Sequence, residues 1–248
     1  MILGLSVPDA IYCVAAMLIA YGLRGSTGFG GAVGMPLLAL VVPMKILVPM
    51  WTLLGFTSSV TILGRERGYV AVREFVVFIP WCIAGSAVGL YFFKTLDAVA
   101  LARGLGVLVL LYAALMLVAM LRGQSGALPL PRVVAPLAAV ISGAVGTVFG
   151  ATASVFFAMY LDAYSLAKRA FRATTSAMLL TLSGVRGIGY FAVGEFTADA
   201  WIAFAAALPV MLLGIYIGDR IHMNVSEATF KWLVCFTLFL CGIPLLLK

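Results

Sequence analysis

Charge is scarce in this sequence: 16 Lys and Arg and 9 Asp and Glu among 248 residues, or 10%. A soluble domain carries about 25% charged residues, and a globule of this size needs a polar shell. With 64% hydrophobic residues and a mean hydropathy of +1.17, the chain cannot supply one. Soluble enzymes, nucleic-acid-binding modules and disordered chains are therefore excluded as leading classes. Histidine is almost missing, His222 being the only one, and the four cysteines, Cys13, Cys82, Cys235 and Cys241, lie scattered in apolar sequence. Without CxxC pairs or Cys/His clusters, neither a metal site nor a disulfide framework is expected. The cysteines read as small packing groups, and no cofactor is expected. No basic segment precedes the first apolar run, so that run reads as a retained membrane helix rather than a cleaved signal.

Long apolar runs fill the chain. A helix needs about 20 apolar residues to cross a bilayer, and an unpaired backbone has no water to turn to inside one. Uncharged or nearly uncharged runs occupy 10–23, 25–44, 46–64, 75–93, 104–121, 133–161, 173–194, 200–218 and 232–247. The net charge of +7 comes from basic residues placed between these runs, as membrane orientation requires. The expected fold is an all-α polytopic membrane protein of about eight transmembrane spans. A Gly- and Pro-rich stretch at 122–132 separates an N-terminal half, 1–121, from a C-terminal half, 133–248.

The halves resemble each other, which points to two repeated four-span units. Pro-x4-Gly-x3-Gly occurs at Pro80, Gly85 and Gly89 and again at Pro209, Gly214 and Gly218, and Phe29-Gly30 recurs as Phe149-Gly150. Spaced glycines also have a plainer use, letting membrane helices approach closely. Repeats with Gly- or Pro-interrupted helices are a recurring transporter architecture, with the substrate held near the midplane where the interruptions meet.

Two segments fit that description. In the first, Gly25, Gly28, Gly30, Gly31 and Gly34 make a continuous helix expensive, at up to about 1 kcal/mol each. Pro36 disfavours helix just before it. A break between 25 and 35, with a new helix starting near Pro36, is predicted. Free N–H groups at such a start attract anions. Ser26, Thr27, Gly28, Phe29, Gly30 and Gly31 are therefore candidate binding residues. Arg24 interrupts the apolar run beside them and has two readings: a snorkelling side chain at a span end, or a charge partner for an anionic substrate. The second segment offers Gly150, Thr152 and Ser154, with fewer glycines and a weaker predicted break. Arg172 and Thr174 open a later span, where the basic cluster serves orientation or draws anions to the mouth. Arg186, fourteen residues past Arg172, is expected about 21 Å further along, at the opposite interface.

All nine carboxylates, among them Glu66, Glu195 and Asp219, fall at predicted span ends. No acid is left mid-span for a proton relay, for cation transport or for paired-carboxylate catalysis. A small anion is the natural cargo. A proton or sodium ion coupled to the flux, and a homo-oligomeric assembly, are compatible with this reading. No nucleic acid is expected as a partner.

Gly28-Phe29-Gly30-Gly31 followed by Met35-Pro36-Leu37-Leu38 resembles the Gly-rich, Pro-containing signature of the TauE/SafE sulfite exporter family. Ala170-Phe171-Arg172-Ala173-Thr174 is similar to that family's Arg-x-Thr helix start, and Pro209, Gly214 and Gly218 to its third-helix pattern. The resemblance covers essentially the whole chain. It departs in the second half, where Phe149-Gly150-Ala151-Thr152 stands in place of a glycine pair. The resemblance implies a carrier in the bacterial inner membrane that exports small sulfur-containing anions such as sulfite or organosulfonates. Two rivals remain. One is a membrane scaffold packing on a partner through its glycine faces. The other is an intramembrane enzyme with Cys13 or Cys82 as nucleophile.

Overall fold

A computed structural model describes residues 6–27, 31–122, 135–150, 157, 160–161, 164, 166–220 and 227–248. Among these residues the chain forms α-helices, one 3-10 turn and no strand. The first half holds α1 (Val7–Thr27), α2 (Gly31–Ala39), α3 (Met44–Glu66), the turn Arg67–Tyr69, α4 (Val72–Thr95) and α5 (Ala98–Leu121). The second holds α6 (Ala135–Phe149), α7 (Lys168–Ala192), α8 (Ala198–Arg220) and α9 (Glu227–Leu247). Apart from Arg122, the expected linker lies outside the described residues.

Five helices, α1, α3, α4, α5 and α8, are long and apolar enough to cross a membrane. Only 33% of the crossing window of α4, α5 and α8 is buried inside the protein. Their outer faces carry Val76, Leu115 and Leu213, and α9 adds Phe236, all exposed. Apolar side chains spread over every outer face suit a hydrocarbon solvent rather than water. The 25-residue α7 contains Lys168, Arg169, Arg172 and Arg186, which lower its apolar character.

Charge does not mark the helix ends as sharply as expected. Arg24 does not interrupt the first helix, which runs on to Thr27. A cation in the last turn of a helix meets the negative end of its dipole, so helix geometry is not penalised there. α2 begins at Gly31, five residues ahead of Pro36 rather than at it, and residues 28–30 lie outside the described residues. Proline near a helix start removes few hydrogen bonds, because the first four N–H groups have no partner within the helix anyway. The second segment also breaks: α6 stops at Phe149, and Gly150 leaves it at φ +81°. That left-handed conformation is one glycine adopts without strain.

The helices pair across the two halves. α4 packs along α6, and α1 packs along α8. α3 lies against α7, and α5 against α9. The Pro-x4-Gly-x3-Gly faces make the first two contacts. A methyl group on Gly85 would run into the Val140 carbonyl, and one on Gly143 into the Cys82 carbonyl. In the other pair, a methyl on Gly218 would strike the Gly22 carbonyl. Both seams therefore bring backbone against backbone, the approach that small residues permit in membranes. Cys82, Cys235 and Cys241 are buried and Cys13 is half-buried. Cys235 Sγ lies 3.5 Å from the Ala113 carbonyl in the seam between α5 and α9.

Candidate functional site

The middle of α3 crosses α7 where Gly55 meets Ser183: a methyl on Gly55 would sit 3.1 Å from Ser183 Oγ. Small residues on both helices allow this close crossing. The ends of the two helices meet in antiparallel order. Glu66, ending α3, lies 3.6 Å from Arg172 near the start of α7. Lys45, near the start of α3, lies 3.0 Å from Glu195, just past the end of α7.

Two arginines flank the crossing, and both are buried. Arg24 is 5% exposed and Arg186 is 3% exposed. Arg24 reaches from α1 to α3, donating to Ser59 Oγ at 2.8 Å and to the Gly55 carbonyl at 3.4 Å. Arg186 reaches from α7 to the carboxyl end of α6. It donates to the carbonyls of Gly146 and Gly150, the latter at 3.0 Å, and to Ser183 Oγ at 3.3 Å. The carbonyls at a helix end carry a partial negative charge, which favours a guanidinium there. Gly55, whose carbonyl Arg24 reaches, lies against Ser183, whose hydroxyl Arg186 reaches, so the helix crossing itself links the two arginines.

Among the described residues, neither guanidinium has a carboxylate partner. Burying a charge without a counterion is expensive unless a ligand completes it. Arg24 Nε, Arg186 Nε, Tyr21 Oη and Thr147 Oγ1 are buried with no hydrogen-bond partner among the described residues. Tyr21 stands one turn before Arg24 on α1. Thr147 lies on α6 between the two glycines whose carbonyls hold Arg186, and its own carbonyl accepts from Tyr190 Oη. Ser183, Arg186 and Tyr190 share one face of α7 at i, i+3 and i+7.

The residues singled out in the sequence fall into three groups. Arg24 and Gly150 belong to this cluster, and Gly150 also meets Met35 of α2, linking the second break to the first. Gly31 opens α2. Ser26 and Thr27 close α1, but their side chains lie outside the described residues, as do Gly28, Phe29, Gly30, Thr152 and Ser154 altogether. Arg172 and Thr174 sit elsewhere, at the shared end of α3, α7 and α8. Arg172 is paired with Asp219 at 2.7 Å as well as with Glu66. Thr174 Oγ1 accepts from the Ala71 N–H at 2.9 Å and donates to the Ala170 carbonyl at 2.7 Å. Ser59 and Glu66 are seven residues apart on α3, so this corner lies about 10 Å along the helix from Arg24's partner.

Arg186 is a correction. It was expected at an interface and is instead buried inside the protein, held by α6. The signal was available: it is the only charge inside the run 173–194, with Ser183, Gly184 and Gly187 around it.

No curated protein and no solved structure matches the chain. The family model described as sulfite exporter TauE/SafE matches residues 13–245, nearly the full length. With its lipid-suited apolar helices and this match, the chain belongs to the sulfite exporter TauE/SafE family and is an integral membrane protein of a transporter family.

Proposed function

We propose that the protein is a secondary transporter that exports sulfite or a small organosulfonate across the bacterial inner membrane by alternating access. The observation that carries this reading is the pair Arg24 and Arg186, buried beside the α3–α7 crossing with no carboxylate partner among the described residues. The anion binds between them. Backbone N–H groups of Gly28, Phe29, Gly30 and Gly31 and the hydroxyls of Ser26, Thr27, Thr152 and Ser154 complete the site, a reading supported by Arg24 in the last turn of α1, just before the first segment, and by Gly150, held by Arg186, at the start of the second. Arg172, already matched by two carboxylates, serves the passage rather than the site. Sulfite leaves down the membrane potential, and a proton or sodium ion is the alternative driving force.

About eight spans in two four-span halves, 1–121 and 133–248, suit this role. The cross-pairing of α1 with α8 and α4 with α6 is the arrangement that two related halves produce when they face each other. The scaffold alternative loses its main support. The glycine faces it needs for an outside partner are occupied within the chain.

Flux of sulfite into proteoliposomes tests the function. Saturable flux above empty liposomes is expected, and none with folded protein contradicts the reading. Replacing Arg24 by glutamine is expected to raise the half-saturating concentration by about ten- to a hundredfold, the loss of one charge-assisted contact. Unchanged affinity and flux would remove Arg24 from the site.

Alternating access gives the two ion-pair corners opposite duties. Lys45 binds Glu195 and also donates to the Phe93 carbonyl at 2.7 Å, closing one end of the α3–α7 pair. Arg172, Asp219 and Glu66 close the other. Glu195→Gln is expected to open the first end and Asp219→Asn the second. A cysteine at buried Ser58 then labels from opposite sides of the membrane in the two backgrounds. Labelling from the same side in both contradicts the two-gate arrangement.

A further inference from the structure

We infer that the site is matched to a doubly charged anion, with Arg24 and Arg186 together setting that preference over singly charged anions of the same shape. The inference rests on the carrier reading above and narrows it. Charge arithmetic comes first. Two guanidinium groups contribute two positive charges, and guanidinium does not deprotonate in proteins. The carbonyl end of α6 that holds Arg186 offsets about half a charge.

Five of the described acids are engaged elsewhere. Glu66 and Asp219 face Arg172, and Glu195 faces Lys45. Asp97 caps α5 through the Ala100 N–H, and Asp9 accepts from Ser6. Among the described residues no carboxylate contacts either guanidinium, so most of their positive charge is left for the ligand to match. A singly charged ligand leaves the buried pair under-neutralised; a doubly charged one does not.

The hydrogen-bond inventory agrees. The unpartnered nitrogens, Arg24 Nε and Arg186 Nε, can only donate. The hydroxyl of Tyr21, one turn before Arg24, has no partner among the described residues and can donate as well. A fully deprotonated oxyanion brings acceptors alone and can accept from all three. A protonated acid group brings a donor that the guanidinium pair cannot accept. Sulfite in its fully ionised form fits, and so does a sulfonate carrying a second acid group. A simple alkyl sulfonate does not.

Sulfate and methanesulfonate separate charge from shape, since a methyl group replaces one oxygen and removes one charge. Sulfite flux into proteoliposomes is measured with each as competitor. Sulfate is expected to inhibit at a concentration at least tenfold below that of methanesulfonate. In Arg24→Gln the gap is expected to shrink to less than threefold, and in folded Arg186→Gln, whose flux is lost, displacement of bound radiolabelled sulfite by the two anions reads the same shrinkage. Equal inhibition by the two anions in the unmodified protein overturns the charge inference while leaving the carrier intact. An undiminished gap in folded Arg24→Gln removes Arg24 from charge selection. Absence of saturable sulfite flux overturns the carrier reading and this inference with it.

Discussion

Replacing Arg186 by glutamine is expected to abolish saturable anion flux and to lower the thermal stability of the protein. Arg186 uses its fork to hold two carbonyls at the end of α6, Gly146 and Gly150, and to reach Ser183. Glutamine is shorter and uncharged, and it cannot span both carbonyls. The Gly146 carbonyl keeps the Gly150 N–H, but the Gly150 carbonyl is left without Arg186, at about 1–3 kcal/mol. The break at Gly150 loses the group that fixes its direction, and the anion loses half its charge partner. Flux is expected to fall at least about a hundredfold, the scale of losing a buried charged contact. Lysine keeps the charge but not the fork, so Arg186→Lys is expected to recover binding only in part. The readouts are flux in proteoliposomes and unfolding temperature in detergent. Full flux in folded Arg186→Gln would show that the charge at this position serves only to hold α6.

Adding one methyl group at Gly143 is expected to destabilise the protein far more than adding one at Gly187. At Gly143 the methyl meets the Cys82 carbonyl on α4, a backbone atom with no rotamer to escape into. The reciprocal position, Gly85, is blocked by the Val140 carbonyl, so neither helix can yield without moving the other. Overpacking of this kind costs about 1–3 kcal/mol and sometimes more. Gly187 lies on α7 with nothing near its missing Cβ. There alanine gains up to about 1 kcal/mol of helix propensity. Unfolding temperatures of Gly143→Ala and Gly187→Ala, measured side by side, decide the point. Equal shifts would mean that the α4–α6 seam opens easily and is not a fixed backbone contact.

Much of the architecture was legible in the residues. Apolar runs between charges located the long helices to within a few residues, because a bilayer leaves helices little choice. The paired glycine patterns at Gly85/Gly89 and Gly214/Gly218 marked the two closest seams. The lone Gly150 marked the end of α6, while residues 28–30 of the first glycine-rich segment lie outside the described residues.

The site was legible by halves. Arg24 stood out because it lay beside the glycine-rich break. Arg186 did not, because the same charge inside an apolar run reads equally well as a span end. Its meaning depends on Gly146 and Gly150, 40 and 36 residues away in sequence. Arg172 was visible as a cation, but its matched partners were not. Asp219 lies 47 residues further on and Glu66 belongs to the other half of the chain. Pairing across the halves is a property of the fold, and no local pattern carries it.

Equilibrium binding of radiolabelled sulfite to the purified protein, compared with Arg24→Gln and Arg186→Gln, tests the central claim most directly. One saturable site is expected in the unmodified protein, weakened at least about tenfold in each folded variant, as loss of a charge-assisted contact requires. Equal sulfite affinity in all three proteins would contradict an anion site built on these two arginines.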